Sequence, residues 1–136
     1  TLMSTMRHLG YFPYIGIFSG AMLRRWYCDF DYYRNFDDPE AFNSKVKLFF
    51  FGWGEQEDRI NHDLIPDLDM LREKGIRFET YTCPGYHEWT VWRKCLREFV
   101  QRIFTNFPSL VTTFFEGFAR YSSKLNGFIL IPPILF

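Results

Sequence analysis

The pattern of apolar positions in the first third of the chain predicts a helix followed by a strand. The first apolar residues recur at intervals of three or four and stop at Gly10, which predicts a short helix with a glycine after its end. These residues are Leu2, Met3, Met6 and Leu9. The run FPYIGIFSGA (12–21) is short and apolar, and we interpret it as a buried strand. Residues 23–45 are polar and irregular, and the sequence Asp-Asp-Pro at 37–39 indicates a turn or a helix start.

The next sixty residues contain the strongest strand signal and two helical patterns. KVKLFFFGWG (45–54) is a nearly continuous apolar run, which is typical of a central parallel strand covered on both faces. Residues 58–74 have helical spacing and end before Gly75, and 76–84 alternate like a strand. A final helix is predicted with one apolar face, formed by Trp89, Trp92, Leu96, Phe99, Val100 and Ile103.

Helices that alternate with apolar strands in this order predict an α/β fold with a parallel sheet, because each parallel strand needs a crossover connection. The last segment, 105–136, has no clear period and ends in an apolar stretch interrupted by two prolines. We therefore expect residues 1–104 to form the α/β domain and 105–136 to be a tail of unknown role.

Charge, hydropathy and cysteine spacing exclude several classes of partner and site. The chain has 16 Lys plus Arg and 16 Asp plus Glu, so no net charge attracts nucleic acid or an anionic membrane. No stretch approaches the roughly 20 apolar residues of a membrane span. Cys28, Cys83 and Cys95 lack the spacing of a metal site, and we interpret them as small buried side chains, with a single disulfide as the alternative.

Side chains suited to catalysis lie in two loops that follow consecutive predicted strands. The loop GWGEQED (52–58) carries three carboxylates: Glu55, Glu57 and Asp58. The loop PGYHE (84–88) carries His87. Parallel strands bring such loops to one edge of the sheet, so a carboxylate can hold the imidazole by its Nδ1–H, as in a Ser–His–acid triad. The alternative is a solvated acidic turn and a histidine that caps the last helix.

A nucleophile for this arrangement is missing from the sequence. No G-x-S-x-G motif occurs, although the strained turn at a nucleophilic serine needs a glycine two residues to either side. GIFSG (16–20) comes nearest, but Ser19 has Ile17 two residues before it and Ala21 two residues after it.

Three pieces of the chain carry a family resemblance: FPYIGIFSGA, KLFFFGWGEQEDRI and CPGYHEWTVWRKCLREFVQRIF. Through them, about three quarters of the chain, from Thr1 to Phe104, resembles the feruloyl esterase and esterase D type of α/β-hydrolases. The third piece is the most specific, with a Pro-Gly turn, His-Glu-Trp, Trp-Arg and a helix that ends at Phe. The resemblance implies the C-terminal part of an α/β-hydrolase sheet with covering helices, incomplete at its N-terminal side.

The resemblance also implies a reaction, the hydrolysis of carboxylic esters such as feruloyl or acetyl esters of plant polysaccharides. It matches the family's catalytic histidine to His87. The family's acid falls three residues after the loop glycine, Gly54, which gives Glu57, with Asp58 as the fallback. The family's G-x-S-x-G-G serine and its oxyanion loop would precede Thr1, so we expect this chain alone to be inactive.

Further expectations concern the substrate and its surroundings. The resemblance implies a small ester or acylated oligosaccharide as substrate, no cofactor, no metal, no nucleic-acid or membrane partner, and export from a bacterial cell. Trp53, Trp89 and Ser19 are candidates for the substrate pocket, although Trp89 and Trp92 are interpreted first as core residues of the last helix. His62 follows an asparagine and precedes an aspartate, and we interpret it as part of a solvated helix face rather than of a metal pair.

Two other functions stay open at this point. One is a non-enzymatic carbohydrate-binding or interaction module that uses an aromatic-rich surface, since 21% of the residues are aromatic. The other is a peptidase-like α/β-hydrolase whose nucleophile lies on a separate chain.

Overall fold

A computed structural model describes residues 2–20 and 32–105 of the chain. The predicted helices and strands in these ranges are present, with one short 3-10 helix in addition. In chain order the elements are α1 (Leu2–Arg7), β1 (Tyr14–Phe18), the 3-10 helix (Tyr32–Phe36), α2 (Pro39–Lys45), β2 (Leu48–Gly54), α3 (Asp58–Glu73), β3 (Glu79–Cys83) and α4 (Trp89–Thr105). Cys28 and the segment 106–136 lie outside the described residues, and the predicted boundary between domain and tail stays a prediction.

The three strands form a parallel sheet in the order β1-β2-β3, so the fold is mixed α/β as the sequence predicts. Gly54 pairs with Cys83, so β2 and β3 end level, whereas β1 ends two residues earlier because Phe18 pairs with Gly52. The central strand, β2, is buried along its whole length. Its continuous apolar run is therefore explained by strands on both sides and helices on both faces.

Side chains of β2 alternate between two layers of the core. Phe49, Phe51 and Trp53 face the larger layer, where they pack with α1, the 3-10 helix, α2 and α3. The main contributions from these helices are Met6, Phe36, Phe42, Leu64, Leu68 and Leu71. Phe50 faces the other layer, where its ring lies 5.6 Å from that of Phe99 of α4. Buried phenylalanines in the described ranges thus contribute to two layers on opposite sides of one sheet.

Helix α4 turns toward the sheet a face that only partly matches the predicted one, since Trp92 and Phe99 of the predicted face do pack inward. Its fully buried residues are Val91 and Cys95, whereas Trp89 is 67% exposed and Leu96 is 49% exposed. Cys95 packs directly over Gly52 of β2, where an added Cβ would lie only 2.9 Å from its Sγ. The glycine and the small thiol allow a close approach that a tryptophan cannot make. The interpretation of Trp89 as a core residue was therefore wrong.

Two cysteines have the predicted character of small buried side chains. Cys83 and Cys95 are buried and unpaired. Burial, with a smaller contribution from the neighbouring Cys83, raises the pKa of the Cys95 thiol to about 12. None of the helices in the described ranges is long and apolar enough to cross a membrane.

Candidate active site

The site lies where β2 and β3 end. Gly54, the last residue of β2, pairs with Cys83, the last residue of β3, so the loops that follow start at the same level. The backbone N–H of Glu55 donates to the carbonyl of Cys83 at 2.9 Å, and that of Gln56 donates to the carbonyl of Gly85 at 3.2 Å. The Gln56 side chain also accepts a hydrogen bond from the N–H of Gly85. These bonds hold the two predicted loops against each other.

Two glycines allow this contact between the loops. A Cβ on Gly54 would lie 2.2 Å from the carbonyl oxygen of Gly85, which is closer than any non-bonded contact. Gly85 has a φ of +140°, and a Cβ there would lie 2.5 Å from Cγ2 of Val91. Only residues without a side chain fit at these positions. The glycines of GWG and PG are thus requirements of the loop packing.

The predicted contact between an acid and His87 is present. Nδ1 of His87 lies 2.8 Å from Oε2 of Glu57. The Glu57 side chain is 2% exposed, whereas that of His87 is 61% exposed. Glu57 occupies the position before the first turn of α3 but makes no capping bond there, so its carboxylate is available to the site. Asp58, the fallback acid, begins α3 and is exposed.

A contact that the sequence did not predict completes the surroundings of the acid. The hydroxyl of Ser19 donates to Oε1 of Glu57 at 2.5 Å. The backbone N–H of Gly54 donates to the same oxygen at 2.7 Å. Ser19 follows β1, the strand beside β2, and Phe18 pairs with Gly52. This register is the signal that points to Ser19, since it places the residue after β1 near the end of β2.

These hydrogen bonds decide the charge of Glu57. Burial by itself raises the pKa of the Glu57 carboxyl, but the bonds from Ser19, from Gly54 and from His87 together lower it below the ordinary value of 4.5. The carboxylate is therefore ionised at neutral pH and can only accept hydrogen bonds. Nδ1 of a neutral His87 must then carry the proton, which leaves the lone pair on Nε2. The arrangement thus produces a base whose reactive nitrogen is set by Glu57.

The lowered pKa of Glu57 predicts a pH dependence of stability. A carboxyl whose folded pKa lies below its unfolded value stabilises the fold above the unfolded value of 4.5, and this contribution is lost as the pH falls through the folded pKa. We expect urea denaturation to show wild type more stable than Glu57→Gln at pH 6, with the difference shrinking toward pH 3. Glu55→Gln, an exposed position in the same loop, corrects for the removal of one negative charge. A difference that is constant across this range would contradict the assignment.

Aromatic side chains surround His87 on the α4 side. The Trp92 ring lies 5.0 Å from the imidazole in an edge-to-face arrangement, and Trp89 lies 5.8 Å from Trp92 in the same manner. Nε1 of Trp92 is buried and has no acceptor within the described part of the chain. Trp89 and Tyr86 are 67% and 65% exposed. The site therefore has an exposed aromatic border beside the histidine.

The three candidate pocket residues have different positions. Trp89 lies at the exposed border just described, whereas the hydroxyl of Ser19 is directed at Glu57. Trp53 is 7% exposed in the larger core layer, and its indole N–H donates to Oδ1 of Asn61 at 2.6 Å. These are the contacts of a core residue. The assignment of the three residues to a substrate pocket stays a prediction.

His62 lies on the exposed surface of α3, as the sequence predicts. Its Nδ1 is 3.0 Å from Oδ1 of Asp63, and the imidazole is 82% exposed. Within residues 2–20 and 32–105, no three His, Cys, Asp or Glu side chains are grouped so that they could hold a metal ion.

No protein-family model matches this chain. The class of the site is therefore defined by its geometry. It is an acid–histidine pair at the carboxyl edge of a parallel sheet, with the acid buried and the histidine open to solvent. In a catalytic triad, an acid–histidine pair is the part that moves the proton.

Proposed function

We propose that this chain is the C-terminal part of a serine carboxylic-ester hydrolase of the α/β-hydrolase class. His87 is its general base and Glu57 its acid, and the nucleophilic serine belongs to sequence that precedes Thr1. The observation that carries the proposal is the 2.8 Å contact between Nδ1 of His87 and Oε2 of Glu57 at the end of two parallel strands.

The proposed reaction follows from the protonation states of this pair. Nε2 of His87 takes the proton of the serine hydroxyl as its oxygen attacks the ester carbonyl, and then gives that proton to the leaving alcohol. In the second half-reaction, water gives a proton to Nε2 of His87 as its oxygen attacks the acyl-enzyme, and His87 then gives that proton to the serine oxygen. This step releases the carboxylic acid product and restores the serine. Glu57 stays ionised throughout, keeps the proton of the neutral ring on Nδ1, and stabilises the imidazolium that forms in each half-reaction.

Ser19 does not fit the role of the nucleophile. Its hydroxyl donates to the acid rather than to the imidazole, and the residue is 5% exposed. The three side chains thus follow the order Ser19–Glu57–His87, with the carboxylate in the middle. In a triad the histidine must stand between the serine and the acid, so the nucleophile has to approach Nε2 from elsewhere.

The substrate class rests on the resemblance and on the aromatic border. Acyl esters of plant polysaccharides, feruloyl or acetyl esters among them, combine a carbonyl for the triad with a sugar or aromatic ring. Trp89 and Tyr86 offer exposed ring faces beside His87, and such faces pack well against planar acyl groups and against sugars.

The same exposed rings favour a second candidate, a carbohydrate-binding module without catalysis. Trp89 and Tyr86 are the specific observation for it. This candidate predicts that residues 1–136 bind xylo-oligosaccharides, that Trp89→Ala abolishes the binding, and that His87→Ala leaves it unchanged.

The coding sequence before Thr1 provides the test of the proposed function. We expect an open reading frame that encodes G-x-S-x-G-G shortly before Thr1. The longer protein should hydrolyse methyl ferulate or naphthyl acetate, whereas residues 1–136 alone should not exceed the buffer rate. Saturable turnover by residues 1–136, abolished by a serine-directed phosphonate, would show that the nucleophile lies within this chain. A longer protein that binds xylo-oligosaccharides and hydrolyses no ester would favour the binding module.

A further inference from the structure

We infer that Ser19 is a positioning residue whose hydroxyl orients the Glu57 carboxylate, so that Oε1 is held away from His87 and Oε2 is directed at Nδ1. The orientation is a property of this chain by itself. Its consequence for catalysis rests on the proposed function.

The two oxygens of Glu57 have separate partners. Oε1 accepts from the Ser19 hydroxyl at 2.5 Å and from the Gly54 N–H at 2.7 Å, while Oε2 contacts His87 at 2.8 Å. Two donors on one oxygen fix the plane of a carboxylate, which otherwise rotates about its last side-chain bond. With one donor removed, the carboxylate can turn and the ring loses its fixed acceptor. As whole residues, Ser19 and Glu57 are each 5% exposed, which leaves water little access to replace the hydroxyl.

The backbone at Ser19 directs the hydroxyl toward Glu57. The N–H of Ser19 donates to the carbonyl of Gly52 at 2.7 Å, so the ladder between β1 and β2 continues one residue past Phe18. Ser19 then has a φ of +49°, in the left-handed region that glycine adopts without strain. A serine adopts this conformation only with strain. In return its hydroxyl makes a hydrogen bond to a buried carboxylate, which a glycine could not make.

The hydroxyl also explains part of the charge of Glu57. Among the groups that lower the pKa of this buried carboxyl, the Ser19 hydroxyl is the largest contributor. Its removal is therefore expected to raise the pKa of Glu57 in the folded chain. This shift can be measured without any nucleophile, because it concerns the equilibrium protonation of one side chain.

Two deletions of the hydroxyl separate its effect from that of the backbone. Ser19→Gly removes the hydroxyl and relieves the positive φ, whereas Ser19→Ala removes the hydroxyl and retains the strain. Carboxyl ¹³C NMR of residues 1–136 should show Glu57 titrating at higher pH in both variants than in wild type. Thr5→Ala is the matched control, because the Thr5 hydroxyl is also buried but donates to the carbonyl of Leu2. It should leave the Glu57 titration at its wild-type position.

The comparison of the two variants decides the inference. If Ser19→Gly titrates like wild type, the hydroxyl does not hold the carboxylate and the inference is overturned, whether or not Ser19→Ala is shifted. The glycine variant avoids unfolding caused by strain, so it gives an answer even if the alanine variant fails to fold.

A kinetic measurement tests the catalytic consequence separately. In the longer, ester-hydrolysing protein, Ser19→Gly should lower kcat about tenfold at unchanged KM, because the acid is misoriented while the substrate surface is intact. Unchanged kcat would remove the catalytic role from Ser19. If the longer protein hydrolyses no ester at all, the proposed function fails, and the NMR titration still decides whether Ser19 orients Glu57.

Discussion

Replacing His87 by alanine should lower kcat for ester hydrolysis by roughly a millionfold in the longer protein that includes the sequence before Thr1, because the residues of a triad act as a unit. In the proposed reaction, Nε2 of His87 accepts the serine proton. Binding of the ester to the aromatic border does not depend on the imidazole in the same way, so KM should change far less than kcat. Initial rates with methyl ferulate measure both.

Glu57→Gln tests the contribution of the acid in the same assay. An amide that donates to the ring stabilises the wrong tautomer, which costs about ten-thousandfold in a serine protease with this arrangement. We expect a loss of that order for Glu57→Gln and nearly wild-type rates for Asp58→Asn, whose side chain is exposed at the start of α3. A large loss of rate for Asp58→Asn and a nearly wild-type rate for Glu57→Gln would show that Asp58 is the acid. Far-UV circular dichroism checks that each variant is folded.

Gly54→Ala is expected to damage both stability and activity, because the two loops of the site touch at this residue. The new methyl group would lie 2.2 Å from the carbonyl oxygen and 2.8 Å from the carbonyl carbon of Gly85. Backbone cannot yield as a flexible side chain does, so the loops must separate, which typically costs about 1–3 kcal/mol of unfolding free energy. Separation also moves Glu57 relative to His87, and a displacement of about 1 Å can cost roughly a hundredfold in rate.

The same substitution elsewhere provides the control. Gly10→Ala places its methyl group where, apart from its chain neighbours, no heavy atom of residues 2–20 and 32–105 lies within 4 Å. We expect its unfolding free energy to stay within about 0.5 kcal/mol of wild type, as for other surface substitutions. Urea denaturation measures both variants. Equal stabilities for Gly54→Ala and Gly10→Ala would mean that the loops are not packed as described here.

Local patterns in the sequence were sufficient to predict the main helices and strands and a parallel sheet. The apolar run before Gly54 reads as a central strand because it is buried on both faces, and the helical spacing of 58–74 corresponds to α3. Parallel strands bring their following loops to one edge, so a carboxylate of GWGEQED and His87 could be predicted as neighbours, and the family resemblance favoured Glu57 among them. Their contact at 2.8 Å follows from the topology of the chain.

The rotation of α4 about its axis could be predicted only in part from spacing, because a row of large apolar residues and a row of small ones have the same period. Packing against Gly52 decided between them, and it selected Val91 and Cys95 over Trp89. The exposed tryptophan then became available at the border of the site. A helix face depends on the partner surface, which no local pattern contains.

The sequence by itself thus determined the strands, the helices, the two glycine-rich loops and the pairing of an acid with a histidine. Only the tertiary structure decided which of the two neighbouring carboxylates turns inward, and what holds it there. Ser19 is 38 residues from Glu57, and its context GIFSG gives no sign of a contact with an acid, yet its hydroxyl lies 2.5 Å from the carboxylate. The physical reason is that hydrogen-bond partners across strands are set by sheet register and by a single left-handed residue, and both arise only when the chain is folded.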